Sequence, residues 1–288
     1  MLLGAARYLA ETKKFNGTVH FIFQPAEEGQ AGAKRMMDDG LFKQFPMDSV
    51  FGMHNMPGQP EGKFCMRPGP IMASGEVLTI KVLGKGGHGA RPEQTIDPVL
   101  AAAHMVTALQ SVASRNTDPQ DPVVISITKI NAGSAFNIIP ETAEMAGTIR
   151  SFDMEVQKAT RDAITRVCEG VAASFGASVE TEFELIYPPT LNWAAEVEIA
   201  AQAATKVAGE ENVDTQCRPM MGAEDFAFML QEKPGCYVLL GSGEQEAPGT
   251  GLHSPHYDFN DELLPIGAAY WVELVNTQLG GVHTNLHK

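Results

Sequence analysis

The sequence predicts an α/β protein in which a self-contained α+β segment, ferredoxin-like in pattern, is inserted between two others. Between residues 76 and 186 the apolar patterning runs strand–helix–strand–strand–helix–strand, the split βαβ order. On either side, short apolar strands alternate with helical stretches. Ligand-type side chains follow those flanking strands: Glu27 and Glu28, then His54, then His253 with His256.

Taken in order, residues 1–13 place Leu2, Leu3, Ala6, Leu9 and Ala10 at the spacing of an amphipathic helix. It starts at residue 1 without a capping residue or preceding turn, so an upstream segment is expected. Residues 18–24, apolar and rich in β-branched and aromatic side chains, predict a buried strand that Pro25 ends. A helix over 31–39, a strand from 49 running into Met53-His54-Asn55, and a short strand over 62–66 follow.

In the inserted segment, strand 76–83 ends in Gly84-Lys85-Gly86-Gly87-His88. Asp97 is placed to cap a helix whose first residue is Pro98. Its apolar face is expected through Leu100, Ala103, Val106 and Leu109. Strands over 123–130 and 141–150, a helix over 154–175 and a strand over 178–186 complete the pattern. Beyond it come a helix from Trp193 to about Val207, and a short helix opened by Gly222-Ala223-Glu224-Asp225-Phe226. Glu224 and Asp225 are expected in that helix's first turn, where its dipole favours them. A strand over 237–240, a polar loop over 251–261, a helix over 263–279 and a loose tail to Lys288 end the chain.

The 288 residues suffice for one large domain or two ordinary ones. With 44% hydrophobic and 19% charged residues, the composition is that of a soluble globular protein. A net charge of −14 argues against a nucleic-acid partner. No apolar run is long enough to span a membrane, and the N-terminus is unlike a secretory signal. Cys65, Cys168, Cys217 and Cys236 are scattered, as expected of reduced thiols in a cytoplasmic protein.

Histidine and carboxylate together suit a divalent transition metal. Neighbouring carboxylates in an irregular turn can point different ways, one to a metal and one to a proton. Glu27 and Glu28 are equally readable as a solvated acidic turn, and each histidine as a hydrogen-bonded loop residue. Asn137 and Arg150 can bind a carboxylate, the arginine through two parallel hydrogen bonds. The alternative for Arg150 is a surface ion pair.

Seven motifs carry a resemblance. They are Gln24-Pro-Ala-Glu-Glu-Gly29, Gly52-Met-His-Asn55, Gly86-Gly-His-Gly-Ala-Arg-Pro92, Phe136-Asn-Ile-Ile-Pro140, Gly147-Thr-Ile-Arg-Ser-Phe152, Ala223-Glu-Asp-Phe226 and Leu252-His-Ser-Pro-His-Tyr-Asp-Phe-Asn-Asp261. In this order they resemble the M20 metallopeptidase family, within it the branch of hippurate hydrolases, N-acyl-amino-acid amidohydrolases and indole-acetyl-amino-acid hydrolases. The resemblance implies a catalytic domain in two segments, 1–74 and 189–288, around a lid and dimerisation domain at 75–188. It implies Glu27 as general base, with Glu28, His54 and His253 as metal ligands and His256 at a variable position. His88 matches a lid histidine that stabilises the oxyanion in a partner's site, and Asn137 and Arg150 match substrate-binding positions. Glu224 matches a structural position.

Two divalent ions are implied, with zinc, manganese, cobalt and nickel not distinguished. A cytoplasmic homodimer acting on a small N-acyl amino acid is implied too. The family's Cys-Gly-His-Asp-x-His motif, expected just before the helix that begins here at Met1, is absent, and no cysteine of this chain sits where a substitute is expected. The expectation is therefore an N-terminally truncated amidohydrolase with impaired activity. The alternative is a non-catalytic remnant that dimerises or binds N-acyl amino acids.

Overall fold

The computed structural model describes residues 1–243 and 251–280. The expected loose tail at 281–288 lies outside them. The chain opens with α1 (Leu2–Thr12), the single turn α2 (Glu27–Gln30), α3 (Gly32–Asp38) and α4 (Leu41–Gln44). Next come β1 (Val50–Met56), β2 (Phe64–Cys65) and β3 (Gly69–Met72). The middle of the chain forms β4 (Gly75–Leu83), β5 (Gly87–His88), α5 (Pro98–Ser111), β6 (Val123–Ala132) and β7 (Ile138–Ile139). It continues through β8 (Thr142–Ser151), α6 (Met154–Ser174) and β9 (Ser178–Tyr187). The last stretch holds β10 (Thr190–Asn192), α7 (Ala194–Ala208), β11 (Val213–Asp214), α8 (Ala227–Glu232), β12 (Gly235–Gly241) and α9 (Leu263–Leu279).

Contacts divide the chain into two compact units. One holds Met1–Ile71, Thr190–Pro219 and the chain from Asp225 on; the other holds Met72–Pro189 with Met220–Glu224. In the second unit the sheet order is β6-β8-β4-β9, every pair antiparallel. Strand β4 alternates as a half-buried strand should, with Leu78, Ile80 and Val82 buried and Thr79 exposed between them. Those residues pack with Met105 and Leu109 of α5, Met145 and Ile149 of β8, and Ile164 and Cys168 of α6. Both helices are capped by aspartate. The Asp97 side chain accepts from the Val99 and Leu100 N–H groups, and Asp153 from those of Glu155 and Val156. Gly147 sits beside the bulge in β6, where a Cβ would stand 1.9 Å from the Ser126 carbonyl oxygen.

The expected face of α5 is corrected. The buried stripe is Pro98, Ala101, Ala102, Met105 and Leu109, whereas Leu100 and Ala103 are exposed. The helix is apolar nearly all round, so periodicity does not single out one face.

In the first unit, β12 is the buried centre of a four-stranded sheet of order β1-β12-β2-β11. It runs parallel to β1 and antiparallel to β2, and β2 runs parallel to β11. Val238 and Leu240 pack with Phe64, Val197 and Ala200 of α7, and Tyr270 and Leu274 of α9.

The strand expected over residues 18–24 is not formed: they join no ladder among the described residues, and Phe23 is 62% exposed. A strand exists through its neighbour's hydrogen bonds, which local composition cannot supply. Helix α8 starts at Ala227 with no acidic residue in its first turn, so Glu224 and Asp225 precede it. No helix of the described residues is long and apolar enough to cross a membrane.

Candidate active site

Glu27 and Glu28 lie on the tight loop at residues 25–32. Its turn is only nominally helical, since Glu28 and Gly29 leave helical backbone angles. Ala26 and Ala31 both adopt the left-handed region, at φ 55° and 50°. The loop closes on itself: a Cβ on Gly32 would stand 1.7 Å from the Pro25 carbonyl oxygen. Glu28 points to the other end of the chain, its Oε2 lying 3.6 Å from His253 Nδ1, with both side chains exposed. His253 is itself left-handed, at φ 66°. Glu27 is half-buried, with its carboxylate within 4.8 Å of the Asp225 carboxylate.

Asp225 was not foreseen as part of this arrangement. It is fully buried, and its two oxygens accept from the Gln24 side-chain N–H and, at 2.8 Å, from the Ala33 backbone N–H. Those partners are 201 and 192 residues away in sequence, so no local signal announces them. Glu224, the preceding residue, is also buried.

His54 lies on β1, in register with Leu239 of β12. Its Nδ1 is 2.6 Å from the Asn55 carbonyl oxygen. A carbonyl can only accept, so Nδ1 carries the proton and the Nε2 lone pair is left for a ligand bond. The Asn55 side chain donates in turn to the Tyr257 hydroxyl, tying β1 to the loop that carries His253. Among the described residues the structure thus pairs Glu28 with His253 and Glu27 with Asp225, and engages His54 with its neighbour's carbonyl.

His88, Asn137 and Arg150 belong to the other compact unit. Strands β5 and β7 pair antiparallel, with His88 opposite Ile138. The Gly89 N–H donates to the Asn137 carbonyl at 2.8 Å, and a Cβ on Gly89 would stand 3.1 Å from that oxygen. His88 and Asn137 are therefore held side by side. The His88 Nδ1 accepts the Ala90 N–H at 3.0 Å, which keeps the ring proton on the exposed Nε2 as a donor. Arg150 lies on β8 opposite Val124, its guanidinium 3.4 Å from where a Gly75 side chain would begin.

The thiols are unlike metal ligands. All four are free, and burial pushes Cys168 up to about 12 and Cys217 up to about 11, with Cys65 and Cys236 also raised. A thiol must lose its proton to bind a metal, so these four favour the neutral form. Carboxylate and imidazole, the groups that Glu28 and His253 bring together, are donors that suit zinc, manganese or cobalt.

The chain belongs to the peptidase family M20/M25/M40, whose pattern it matches over residues 1–277. It is 42% identical over 273 residues to the hippurate hydrolase of Campylobacter jejuni, covering 95% of this chain and 70% of that protein. It is 37% identical over 274 residues to the N-acetylcysteine deacetylase of Bacillus subtilis, again 95% of this chain and 70% of that protein. Its fold matches the crystal structure of the YXEP protein of Bacillus subtilis, a dinuclear metal binding peptidase from the M20 family, with TM-score 0.80 and 33% identity. That match covers 96% of this chain and 70% of the other.

Proposed function

We propose that the chain is a metal-dependent amidohydrolase that cleaves N-acyl amino acids, hippurate among them, to a carboxylic acid and an amino acid. The observation that carries this is the approach of Glu28 to His253, 3.6 Å apart beside Glu27, in a chain 42% identical to a hippurate hydrolase. Glu28, His253 and His54 would hold divalent metal, and two ions per chain match the dinuclear relative. Bound there, the metal supplies Lewis acidity, polarising the scissile carbonyl and acidifying water.

The chain's own groups do the rest. Glu27 takes the proton of the attacking water as the C–O bond forms, and returns it to the amine nitrogen as the C–N bond breaks. His88, protonated on Nε2, donates to the developing oxyanion. It is supplied by a second copy of the chain, in a homodimer formed through the unit that contains it. Asn137 and Arg150 bind the substrate carboxylate. A cytoplasmic enzyme fits the protonated thiols.

We further propose that these residues by themselves hold metal weakly, because Glu28 and His253 are 75% and 72% exposed and water competes for both. The test is metal content after dialysis, read beside hydrolysis of hippurate and N-acetyl amino acids with added manganese, zinc or cobalt. The expected result is metal-dependent turnover that is slow and lost on chelation. Turnover unaffected by chelation would overturn the metal reading. Fast turnover with two tightly held ions would overturn the weak-site reading.

A further inference from the structure

We propose that Asp225 is a positioning residue: it clasps the loop that presents Glu27 and Glu28, and so sets where both carboxylates point. Its own carboxylate is fully buried, and both oxygens serve this one loop. One accepts from the Gln24 side chain, and the other accepts the Ala33 N–H at 2.8 Å. Gln24 stands immediately before Pro25 and Ala33 immediately after Gly32, so a single side chain holds both feet of the loop.

The loop needs such a clasp. Ala26 and Ala31 lie at positive φ, an unfavourable backbone for a residue with a Cβ. Strained conformations persist only where the surroundings over-determine them. The feet already touch, since the Pro25 carbonyl fills the space a Gly32 side chain would take. Without the clasp, the left-handed alanines can relax only by opening the loop. Burying a carboxylate is costly unless charge-assisted hydrogen bonds meet it, and here those bonds end on the loop's feet. Glu27 lies within 4.8 Å of the clasp, so opening the loop displaces it directly.

The inference rests on reading Glu27 as base and Glu28 as ligand, and its test separates the two. Asp225→Asn leaves one acceptor oxygen for two donors. The expected result is faster amide hydrogen exchange over residues 26–32, with Co²⁺ affinity, read by calorimetry and by visible absorption, lowered about 10- to 100-fold. Adding Gln24→Glu to that variant restores both bonds with the polarity of one reversed. The new amide donates to the new carboxylate while its oxygen still accepts the Ala33 N–H, and slow exchange is expected to return. Should Asp225→Asn not fold, Gln24→Ala releases one foot alone and is expected to speed exchange in the same segment. Unchanged loop exchange in these variants overturns the clasp, whatever the metal affinity. A wild-type chain that takes up no Co²⁺ overturns the ligand reading of Glu28 and leaves exchange to decide the clasp.

Discussion

The two compact units close their hydrogen bonding in different ways. In the unit containing β4, the sheet is made of strands nine or ten residues long, and the chain sequence β4-α5-β6-β8-α6-β9 builds it from neighbouring segments. In the other, β2 and β11 are two residues each, and the sheet depends on β1 pairing with β12 from far along the chain. The first is a fold whose stability is spread along long ladders. The second has its core under β12, and has loops held by a few specific side chains, Asp225 and Tyr257 among them. Long ladders and a loop clasped by one side chain make opposite demands on the chain, and here they fall in different segments.

Removing a buried charge from the first of these units is expected to give the largest effect. The Glu76 side chain is fully buried, with Arg161 Nη2 at 2.5 Å and Gln157 Nε2 at 2.7 Å. Glu76→Ala uncovers the guanidinium and the amide together, and a loss of about 3 kcal/mol is expected in urea unfolding. Arg7→Ala in the other unit breaks only the exposed pair with Glu11, and is expected to stay within about 0.5 kcal/mol. Both tryptophans, Trp193 and Trp271, lie in the unit that holds the loops, so their fluorescence reports it alone, whereas circular dichroism reports both. Glu76→Ala is expected to move the dichroism transition ahead of the fluorescence one. Coincident transitions would show that the two units unfold together.

The same contrast explains what could be read in advance. Helix α9 was legible at both ends, because Leu263 to Leu279 carries its own pattern. The strand–helix–strand–strand–helix–strand order was legible because each of its strands satisfies its neighbour within one segment. Residues 18–24 were misread, since a strand's partners are not written in its own composition. Asp225 was misread as a helix-dipole residue because its true partners lie some two hundred positions away. The residue types of the candidate site were legible as chemistry. That Glu28 approaches His253, from opposite ends of the chain, was not legible from spacing.

Alkaline pH is expected to weaken the loop-bearing unit more than its neighbour, an effect of intermediate size. Cys65, Cys217, Cys236 and Tyr270 lie in it with raised proton affinities, against Cys168 alone in the other. The sign follows from linkage. Above the ordinary thiol value of 9.0, the unfolded chain releases a proton that the fold retains, so stability falls as pH rises. For Cys168 the loss runs from pH 9.0 to about 12, at up to about 1.4 kcal/mol per pH unit. With four such groups, the fluorescence transition is expected to lose stability faster above pH 9.0 than the dichroism one. Parallel slopes would show that burial does not differ between the units in the way described.

The smallest change tests whether the core of that unit tolerates an idle polar group. The Tyr270 ring packs between Phe64 and Trp271, at centroid distances of 5.0 and 5.3 Å. Its hydroxyl is buried and finds no partner among the described residues. Tyr270→Phe keeps the ring and its contacts while removing a group that lost water without gaining a bond. Stability is expected to stay level or rise by up to about 1 kcal/mol in urea unfolding, because an unsatisfied buried hydroxyl favours the unfolded chain. The alkaline loss in the fluorescence transition is expected to shrink as well, since one of its four contributors is gone. A loss of about 1 kcal/mol or more would mean that the hydroxyl is bonded in solution, and that this core is ordered by a polar contact as the loop at residues 25–32 is by Asp225.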